Sequence, residues 1–347
     1  EDITENIDVP DGEKRSYRYF KLKSNGIRVM AIHDPVAVKG AASLNVNIGH
    51  WADPITHPGL AHFCEHMLFM GTIKYPNENH FSTVLSEHGG TSNAFTAEED
   101  TNYYFDVSTD FFEESLDIFS RFFIDPLMDE STSEREVLAV DSEFTDCINQ
   151  DSWRHMQLRS SAAHQEHPAS KFGVGTKATL SDDNTRNELL KFHKKYYKAY
   201  RMSLVVLSNE PLDNLCTMVI DKFSGITAGD PDEYIEELDF NKIPEAYGKE
   251  QLKRFYRVVP KKDYRTLKLV FPLPSQVDLY KKKSDRYLSH LIGHEGAGSI
   301  CQILLSNGWS TGLEAGEIHA TSQFSLFGID INLSPLGENH IDEVMNT

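Results

Sequence analysis

The sequence predicts an α+β fold built from two homologous strand-helix domains, and three observations support this prediction. Segments in which apolar residues alternate, typical of half-buried strands, are interspersed with segments of helical periodicity. The order of strand, helices and strand occurs in both halves of the chain, which indicates a duplicated unit. The length of 347 residues exceeds what a single hydrophobic core usually holds, so two domains are expected.

The first half is predicted to alternate strands and helices. Apolar residues at every second position from Ala42 to Ile48 indicate a strand, and the spacing of Leu60, Phe63 and Met67 indicates a helix. The predicted elements, in chain order, are strands at 26–34 and 41–49, helices at 59–72 and 77–90, a strand at 101–108, a helix at 111–129, one long helix or two abutting helices at 133–163, a helix at 189–197, a strand at 202–208 and a helix at 212–225.

An acidic, proline-containing segment separates the two predicted domains. Residues 226–248 have a composition typical of a linker, so the domains are expected at 1–225 and 249–347. Beyond the linker, the predicted elements are a strand at 266–274, a helix at 285–308 and a strand at 324–334. The chain begins at Glu1 and ends without a helix stop signal, so we expect further sequence at both ends.

Composition and charge exclude several classes of function. Asp and Glu number 53 against 34 Lys and Arg, and the resulting net charge of −19 disfavours binding to nucleic acid or to anionic membranes. The sequence has no apolar run of about 18 residues, so a membrane span is not expected. The four cysteines lie far apart without a CxxC pair, which favours a reducing compartment. We therefore expect a cytoplasmic protein, with an exported or vesicular location as the alternative because the natural N-terminus is not visible.

Two histidines four residues apart, His62 and His66, form the strongest chemical signal in the chain. On a helix these side chains point in nearly the same direction and can reach one metal ion. Glu65 lies beside them, and a hydrolytic zinc site needs a nearby carboxylate as general base. Such a site also needs three protein ligands and one open position, so a third ligand is expected elsewhere.

Two glutamates of the helical segment 133–163 are candidates for the third ligand. Glu136 and Glu143 are seven residues apart and therefore share one helix face. Their stretch is otherwise mainly apolar, and a buried carboxylate requires a metal or another partner. Helical geometry alone leaves both candidates open.

A second histidine pair, His290 and His294, is followed by Glu295. Gly293 and the other glycines nearby weaken a helix there, and no acidic residue on a periodic face supplies a third ligand. We therefore interpret this segment as a glycine-rich backbone that a peptide can approach closely, with simple packing as the alternative.

Residues 62–107 and 135–144 resemble the inverted-zincin peptidases of the pitrilysin group, and within this group the insulysin-like enzymes. The likeness extends to residues 170–180 and 290–299. It implies the fold of that group, in which each homologous domain is a mainly antiparallel sheet packed by helices. It further implies a set of site residues, namely His62, His66 and Glu143 as ligands of one Zn²⁺ ion, Glu65 as general base and Glu136 as a supporting acidic residue.

The resemblance also implies where a peptide substrate lies. In that group the substrate pairs with an edge strand, and a second site holds its amino terminus away from the zinc. The matching positions are Asn93, Ala94 and Phe95 on the edge strand and His290, Gly293, His294 and Glu295 at the second site.

The function implied by the resemblance is that of a zinc-dependent endopeptidase acting on short, flexible peptides, such as insulin-like or other bioactive peptides. Related enzymes enclose a chamber between two halves, so this chain is expected to be the N-terminal half and to need a C-terminal half as its partner. The intact enzyme is expected to be a cytosolic homodimer. The alternative is a catalytically silent peptide-binding or scaffolding half whose zinc site is structural.

Overall fold

The computed structural model describes residues 7–232 and 238–347. The chain divides into two compact units, of which the first comprises the residues up to Cys147 together with Lys171–Asp239. The second comprises Ile148–Ser170 and Phe240–Thr347. The domain boundaries expected from the sequence stay a prediction, and five residues of the expected linker, 233–237, lie outside the described residues.

Both units contain a β-sheet. Their strands are β1 (Ser16–Lys21), β2 (Arg28–His33), β3 (Lys39–Val46), β4 (Thr91–Thr96), β5 (Thr101–Ser108), β6 (Met202–Ser208), β7 (Thr266–Pro274), β8 (Ser310–Ala320) and β9 (Phe324–Leu333). The first sheet has the order β1-β2-β6-β3-β5-β4, with β4 at one edge, and the second has the order β7-β9-β8. All pairs are antiparallel except β2 with β6. The predicted α+β class with mainly antiparallel sheets is therefore confirmed.

Helices accompany both sheets. In the described part of the chain they are α1 (Leu60–Leu68), α2 (His80–Glu87), α3 (Phe112–Ile124), α4 (Glu130–Cys147), α5 (Asp151–Ala162), α6 (Lys177–Leu180), α7 (Thr185–Tyr196), α8 (Leu212–Phe223), α9 (Ser284–Ile292), α10 (Ile300–Ser306) and α11 (Ile341–Asn346). Among these described helices, none combines the length and the apolar character that a bilayer crossing requires.

The core of the first unit lies between its sheet and helices α1, α3, α7 and α8. Strand β3 buries every second side chain, including Leu44 and Val46, as the alternating pattern predicts. Helix α1 buries Leu60, Phe63 and Met67 completely. Because these apolar residues fill one side of α1, the remaining side, which carries both histidines, lies towards α4.

Two predicted helical segments are interrupted in the structure. The segment 133–163 forms two helices, α4 and α5, which confirms the second of the two alternatives, because Gln150 between them has an extended backbone. The single helix predicted at 285–308 is wrong. Helix α9 ends at Ile292 and α10 begins at Ile300, and Gly298 between them has a φ of +83°, outside the right-handed helical region.

Strands β1 and β8 were not among the elements expected from periodicity. The segment of β1, SYRYFK, contains Tyr, Arg and Lys in place of a clear apolar alternation. Strand β8 contains Gly312 and Gly316 and has two register irregularities against β9. Hydrogen bonding to a neighbouring strand, rather than a local pattern, therefore determines both elements.

Candidate metal centre

Helix α1 begins at a sharp turn in which a buried carboxylate accepts two backbone N–H groups. Gly59 precedes the helix with a φ of +92°, and its N–H donates to Asp53 Oδ2 at 2.7 Å. The N–H of Ala61 donates to Asp53 Oδ1 at 2.8 Å. Burial raises the pKa of Asp53 to about 7, while these N–H groups act in the opposite direction. This cap determines where α1 starts and thus where its histidines lie.

His62 is oriented by a backbone carbonyl from another part of the chain. Its Nδ1 lies 2.8 Å from the carbonyl oxygen of Val174, which can only accept, so Nδ1 carries the proton. The lone pair on Nε2 is therefore left for a metal ion. That Nε2 atom lies 3.5 Å from Glu143 Oε2.

The segment 173–175 approaches α1 so closely that only glycine fits on either side of Val174. A Cβ on Gly173 would lie 2.5 Å from the ring of His50, and a Cβ on Gly175, whose φ is +81°, would lie 3.1 Å from the Cα of Gly59. Just before this segment, Lys171 Nζ donates to the carbonyl oxygens of two residues upstream of α1, Trp51 and Asp53, at 2.6 Å each. These contacts place the Val174 carbonyl against His62.

His66 lies between two carboxylates of helix α4. Its Nδ1 is 3.2 Å from Glu136 Oε2, and its Nε2 is 3.5 Å from Glu143 Oε2. Burial alone would lower the pKa of His66, but the hydrogen bonds to Glu136 and Glu143 raise it to about 9. The same bond to His66 lowers the pKa of Glu143 against the effect of burial. The carboxylates of Glu136 and Glu143 therefore stabilise a positive charge at His66.

The side chains of His62, His66 and Glu143 offer ligand atoms that all lie within 4.8 Å of one another. Of the two glutamates left open by helical geometry, Glu143 faces both Nε2 atoms, whereas Glu136 bonds to Nδ1 of His66. Two imidazole nitrogens and one carboxylate are the donor set of several hydrolytic zinc sites. The residues present thus fit a zinc ion, and their roles as ligands stay a prediction.

Glu65 lies beside this group with its carboxylate nearly buried. Its side chain is 8% exposed, and its Oε2 accepts a hydrogen bond from Thr96 Oγ1 at 2.6 Å. Burial raises the pKa of Glu65, while the nearby His62 and the hydrogen bond from Thr96 oppose this shift. A buried carboxylate with a raised pKa is suited to take up a proton.

The predicted peptide-binding residues lie in two places. Asn93, Ala94 and Phe95 are on the edge strand β4, where Asn93 and Phe95 are exposed and Ala94 packs partly against the core. In the second unit, His290 is in the last turn of α9.

The other three predicted residues of the second unit, Gly293, His294 and Glu295, follow α9 in the loop that precedes α10. His294 Nδ1 accepts the N–H of Gly296 at 2.7 Å, and the rings of His290 and His294 are 6.0 Å apart. His290, His294 and Glu295 are exposed, so they are accessible to a ligand.

Three residues of the centre have roles that the sequence alone does not predict: Asp53, Thr96 and Val174. Val174 acts through its backbone, so its side chain gives no signal, although the glycines on both sides of it indicate a close approach. Asp53 and Thr96 are ordinary polar residues in sequence, and their roles depend on contacts that only the fold creates.

Two sequence models of one peptidase family match this chain. The model described as "Insulinase (Peptidase family M16)" matches residues 28–177, and the model described as "Peptidase M16 inactive domain" matches residues 183–347. Together they span most of the chain.

Individual relatives agree with these matches. The insulin-degrading enzyme of Homo sapiens is 44% identical over 96% of this chain, and the A-factor-processing enzyme of Saccharomyces cerevisiae is 41% identical over 99% of it. The alignments cover 33% of each of these relatives, so the chain spans about one third of their length. The crystal structure of pitrilysin superposes with a TM-score of 0.87 and 29% identity, covering 99% of this chain and 36% of that one.

The resemblance inferred from the two motif segments is therefore confirmed by the family models, by the relatives and by the pitrilysin structure. The two-unit α+β architecture agrees with that structure over nearly the whole chain. This chain accordingly belongs to peptidase family M16, the insulinase family.

Proposed function

We propose that this chain is the zinc-binding catalytic part of a metalloendopeptidase that hydrolyses short, flexible peptides. The observation that carries this proposal is the convergence of His62, His66 and Glu143 within 4.8 Å, with Glu65 next to His66 on the same helix. The names of the relatives, insulin-degrading enzyme and A-factor-processing enzyme, support a peptide substrate.

In this proposal His62 and His66, through their Nε2 atoms, and Glu143, through its carboxylate, hold one Zn²⁺ ion. When bound, the ion supplies Lewis acidity for the scissile carbonyl and for a water molecule. Glu65 takes a proton from the attacking water, whose oxygen forms the new bond to the carbonyl carbon. Glu65 then returns the proton to the nitrogen of the leaving amine as the C–N bond breaks.

The edge strand β4 is the proposed binding site for the peptide backbone. Asn93, Ala94 and Phe95 lie on this strand, which pairs with β5 on one side and is the last strand of the sheet. An extended peptide can add to such an edge as a further strand.

The remaining partners are proposed from the family resemblance. His290, Gly293, His294 and Glu295 hold the amino terminus of the substrate. The rest of the natural protein contributes a C-terminal half, and the intact enzyme is a cytoplasmic homodimer.

The alternative proposal is a silent peptide-binding half with a structural zinc site. Structural zinc sites usually have four protein ligands. Within residues 7–232 and 238–347, the group that fits a metal has three ligands, and a carboxylate suited to proton transfer lies beside it. This difference favours the catalytic proposal.

Two substitutions test the proposal on the purified, zinc-loaded chain, with a quenched fluorescent peptide and with the C-terminal half added or omitted. Glu65→Gln is expected to keep one zinc per chain and to lose at least about a hundredfold in turnover, because the proton acceptor is removed. Glu143→Gln is expected to lose zinc. Glu134→Gln, an exposed position on the same helix as Glu143, serves as the matched control for both properties.

The silent alternative makes a different prediction for the same assay. It requires zinc to be bound by the wild-type chain without turnover, even when the C-terminal half is present. Wild-type turnover by Glu65→Gln would refute the assignment of the base, and full zinc content in Glu143→Gln would refute the ligand set.

A further inference from the structure

We propose that Thr96 is a positioning residue for Glu65: its hydroxyl holds one carboxylate oxygen of Glu65 and thereby directs the other oxygen towards the reacting water. This inference rests on the proposed function, in which Glu65 is the general base. It assigns a role to the last residue of β4, the strand proposed to bind the peptide.

The contact between the two side chains is short and sheltered. Thr96 Oγ1 donates to Glu65 Oε2 at 2.6 Å, and within the described parts of the chain this is the one hydrogen bond to the Glu65 side chain from another side chain. Since Glu65 is only 8% exposed, water has little room to replace this donor. A hydrogen bond to a charged, buried acceptor is stronger than an ordinary one.

The alternation of side chains along β4 explains why Thr96 points to helix α1. Thr91, Asn93 and Phe95 are exposed, whereas the alternate residues Ser92, Ala94 and Thr96 are partly buried. Helix α1 packs against β4, and Ala94 contacts the core on that side. Thr96 shares the face of Ala94, so its hydroxyl reaches the carboxylate of a residue on α1.

The backbone that follows Thr96 is bonded to the segment that leads into α1. The carbonyl oxygen of Ala97 accepts the N–H of His50 at 2.9 Å, and that of Glu98 accepts the N–H of Trp51 at 3.0 Å. The approach is so close that a Cβ on Gly49 would lie 2.2 Å from the Ala97 oxygen. These hydrogen bonds therefore fix the position of Thr96 relative to α1, although Thr96 is the last residue of its strand.

If β4 pairs with the peptide, the same strand that positions the scissile bond also positions the base that acts on it. Removal of the hydroxyl leaves the carboxylate free to turn, which slows proton transfer but leaves the strand edge intact. The effect is thus expected on kcat rather than on KM.

The test compares two substitutions in the zinc-loaded chain with a quenched fluorescent peptide. Thr96→Val has nearly the same shape but no donor, and it is expected to lower kcat about tenfold with KM unchanged within about twofold. Thr96→Ser keeps the hydroxyl and is expected to restore kcat to within about threefold of wild type. Zinc content is expected to stay at one per chain in both variants.

Wild-type kcat in Thr96→Val, or equal losses in the Val and Ser variants, would overturn the inference. Glu65→Gln, measured in parallel, separates it from the proposed function. Turnover that persists in Glu65→Gln would refute the assignment of Glu65 as the general base, and with it the proposed function. Loss of turnover in Glu65→Gln together with normal turnover in Thr96→Val counts against the role of Thr96 alone.

A crystal structure of Thr96→Val gives a readout that does not depend on turnover. The Glu65 carboxylate is expected to occupy more than one orientation in this variant and a single orientation in wild type and in Thr96→Ser. A single, unchanged orientation of Glu65 in Thr96→Val would contradict the inference even if the chain alone cleaves no peptide.

Discussion

Hydrogen bonds to the Nδ1 atoms of the two histidines determine which nitrogens are left for a metal. For His62 the partner is the carbonyl oxygen of Val174, and for His66 it is Glu136 Oε2. Both Nε2 atoms are consequently left facing Glu143. Partners of this kind tune metal affinity because they fix the ring and raise its basicity.

Replacement of one such partner should weaken zinc binding without removing a ligand. We expect Glu136→Gln to lower zinc affinity about tenfold, because an amide oxygen accepts a hydrogen bond from His66 less strongly than a carboxylate. Competition with a chelator at fixed pH measures this change. Glu134→Gln, two residues away on another face of the same helix and in an exposed position, is expected to bind zinc like wild type. Equal affinities for the two variants would contradict the role of Glu136.

The sequence predicts the residues of the centre that belong to a helical pattern of metal-binding side chains, and misses those whose roles depend on contacts made by the fold. His62, Glu65 and His66 are on one helix, so their spacing alone predicts their proximity. The choice between Glu136 and Glu143 stays open on helical geometry, because both share one face. Val174 is 112 residues from His62 and carries no pattern of its own.

Among the elements, α1 and the segment 173–175 depend on each other for their positions. Gly59 begins the helix with a φ of +92° and packs directly on Gly175, whose φ is +81°. Neither backbone leaves room for a side chain at this crossing. The contact places the Val174 carbonyl, so loss of the contact should affect the metal as well as the fold.

A substitution at the contact between Gly59 and Gly175 should lower the free energy of unfolding by more than the strain of a positive φ alone accounts for. Gly59→Ala adds a Cβ that would lie 2.2 Å from the Cα of Gly175, in addition to the strain of a positive φ. Gly89→Ala is the matched control, because Gly89 has a φ of +69° and nothing within 4 Å of the added Cβ. We expect Gly89→Ala to lower the free energy of unfolding by about 1 kcal/mol. Gly59→Ala should lower it by roughly 1–3 kcal/mol more.

Urea unfolding measures both free energies, and chelator competition measures zinc affinity in the same samples. The Gly59 variant is expected to bind zinc more weakly than wild type, whereas the Gly89 variant keeps its affinity. The same loss of stability in both variants, with wild-type zinc affinity, would show that the crossing does not position the centre.

Elements with a clear periodic pattern were predicted well, because burial on one face produces that pattern directly. Strands β3, β5 and β6 and helices α1, α3 and α8 all occur where the pattern placed them. The exceptions include β1, β4 and β8, which depend on pairing with other strands, and the segment 285–308. In that segment a helical pattern of apolar residues continues across glycines that interrupt the backbone.

At the level of the whole molecule, a partly buried histidine away from the metal centre links stability to pH. His193 on α7 stacks on Tyr197 with the ring centroids 4.7 Å apart, and its Nε2 has no hydrogen-bond partner among the described residues. Burial lowers the pKa of His193 from 6.5 to about 4. As the pH falls, the unfolded chain therefore takes up a proton at this position at a higher pH than the folded chain does. The folded state consequently loses stability as the pH falls from 6.5 to 4.

We expect the wild-type chain to lose on the order of 3 kcal/mol of unfolding free energy through His193 over this interval. His193→Phe removes the proton-binding group and should flatten the pH dependence measured by urea unfolding at a series of pH values. His290→Phe, at an exposed position, is the control and should keep the wild-type slope. An unchanged slope in His193→Phe would contradict the assignment of this loss to His193.

We propose that His62, His66 and Glu143 bind one zinc ion while Glu65 stays outside the ligand set. A crystal structure of the zinc-loaded chain, with anomalous data at the zinc edge, locates the ion and its ligands. We expect a single peak with two Nε2 atoms at about 2.0–2.1 Å, one Glu143 oxygen and no fourth protein ligand. A peak elsewhere, or a protein atom in the fourth position, would refute the proposed ligand set.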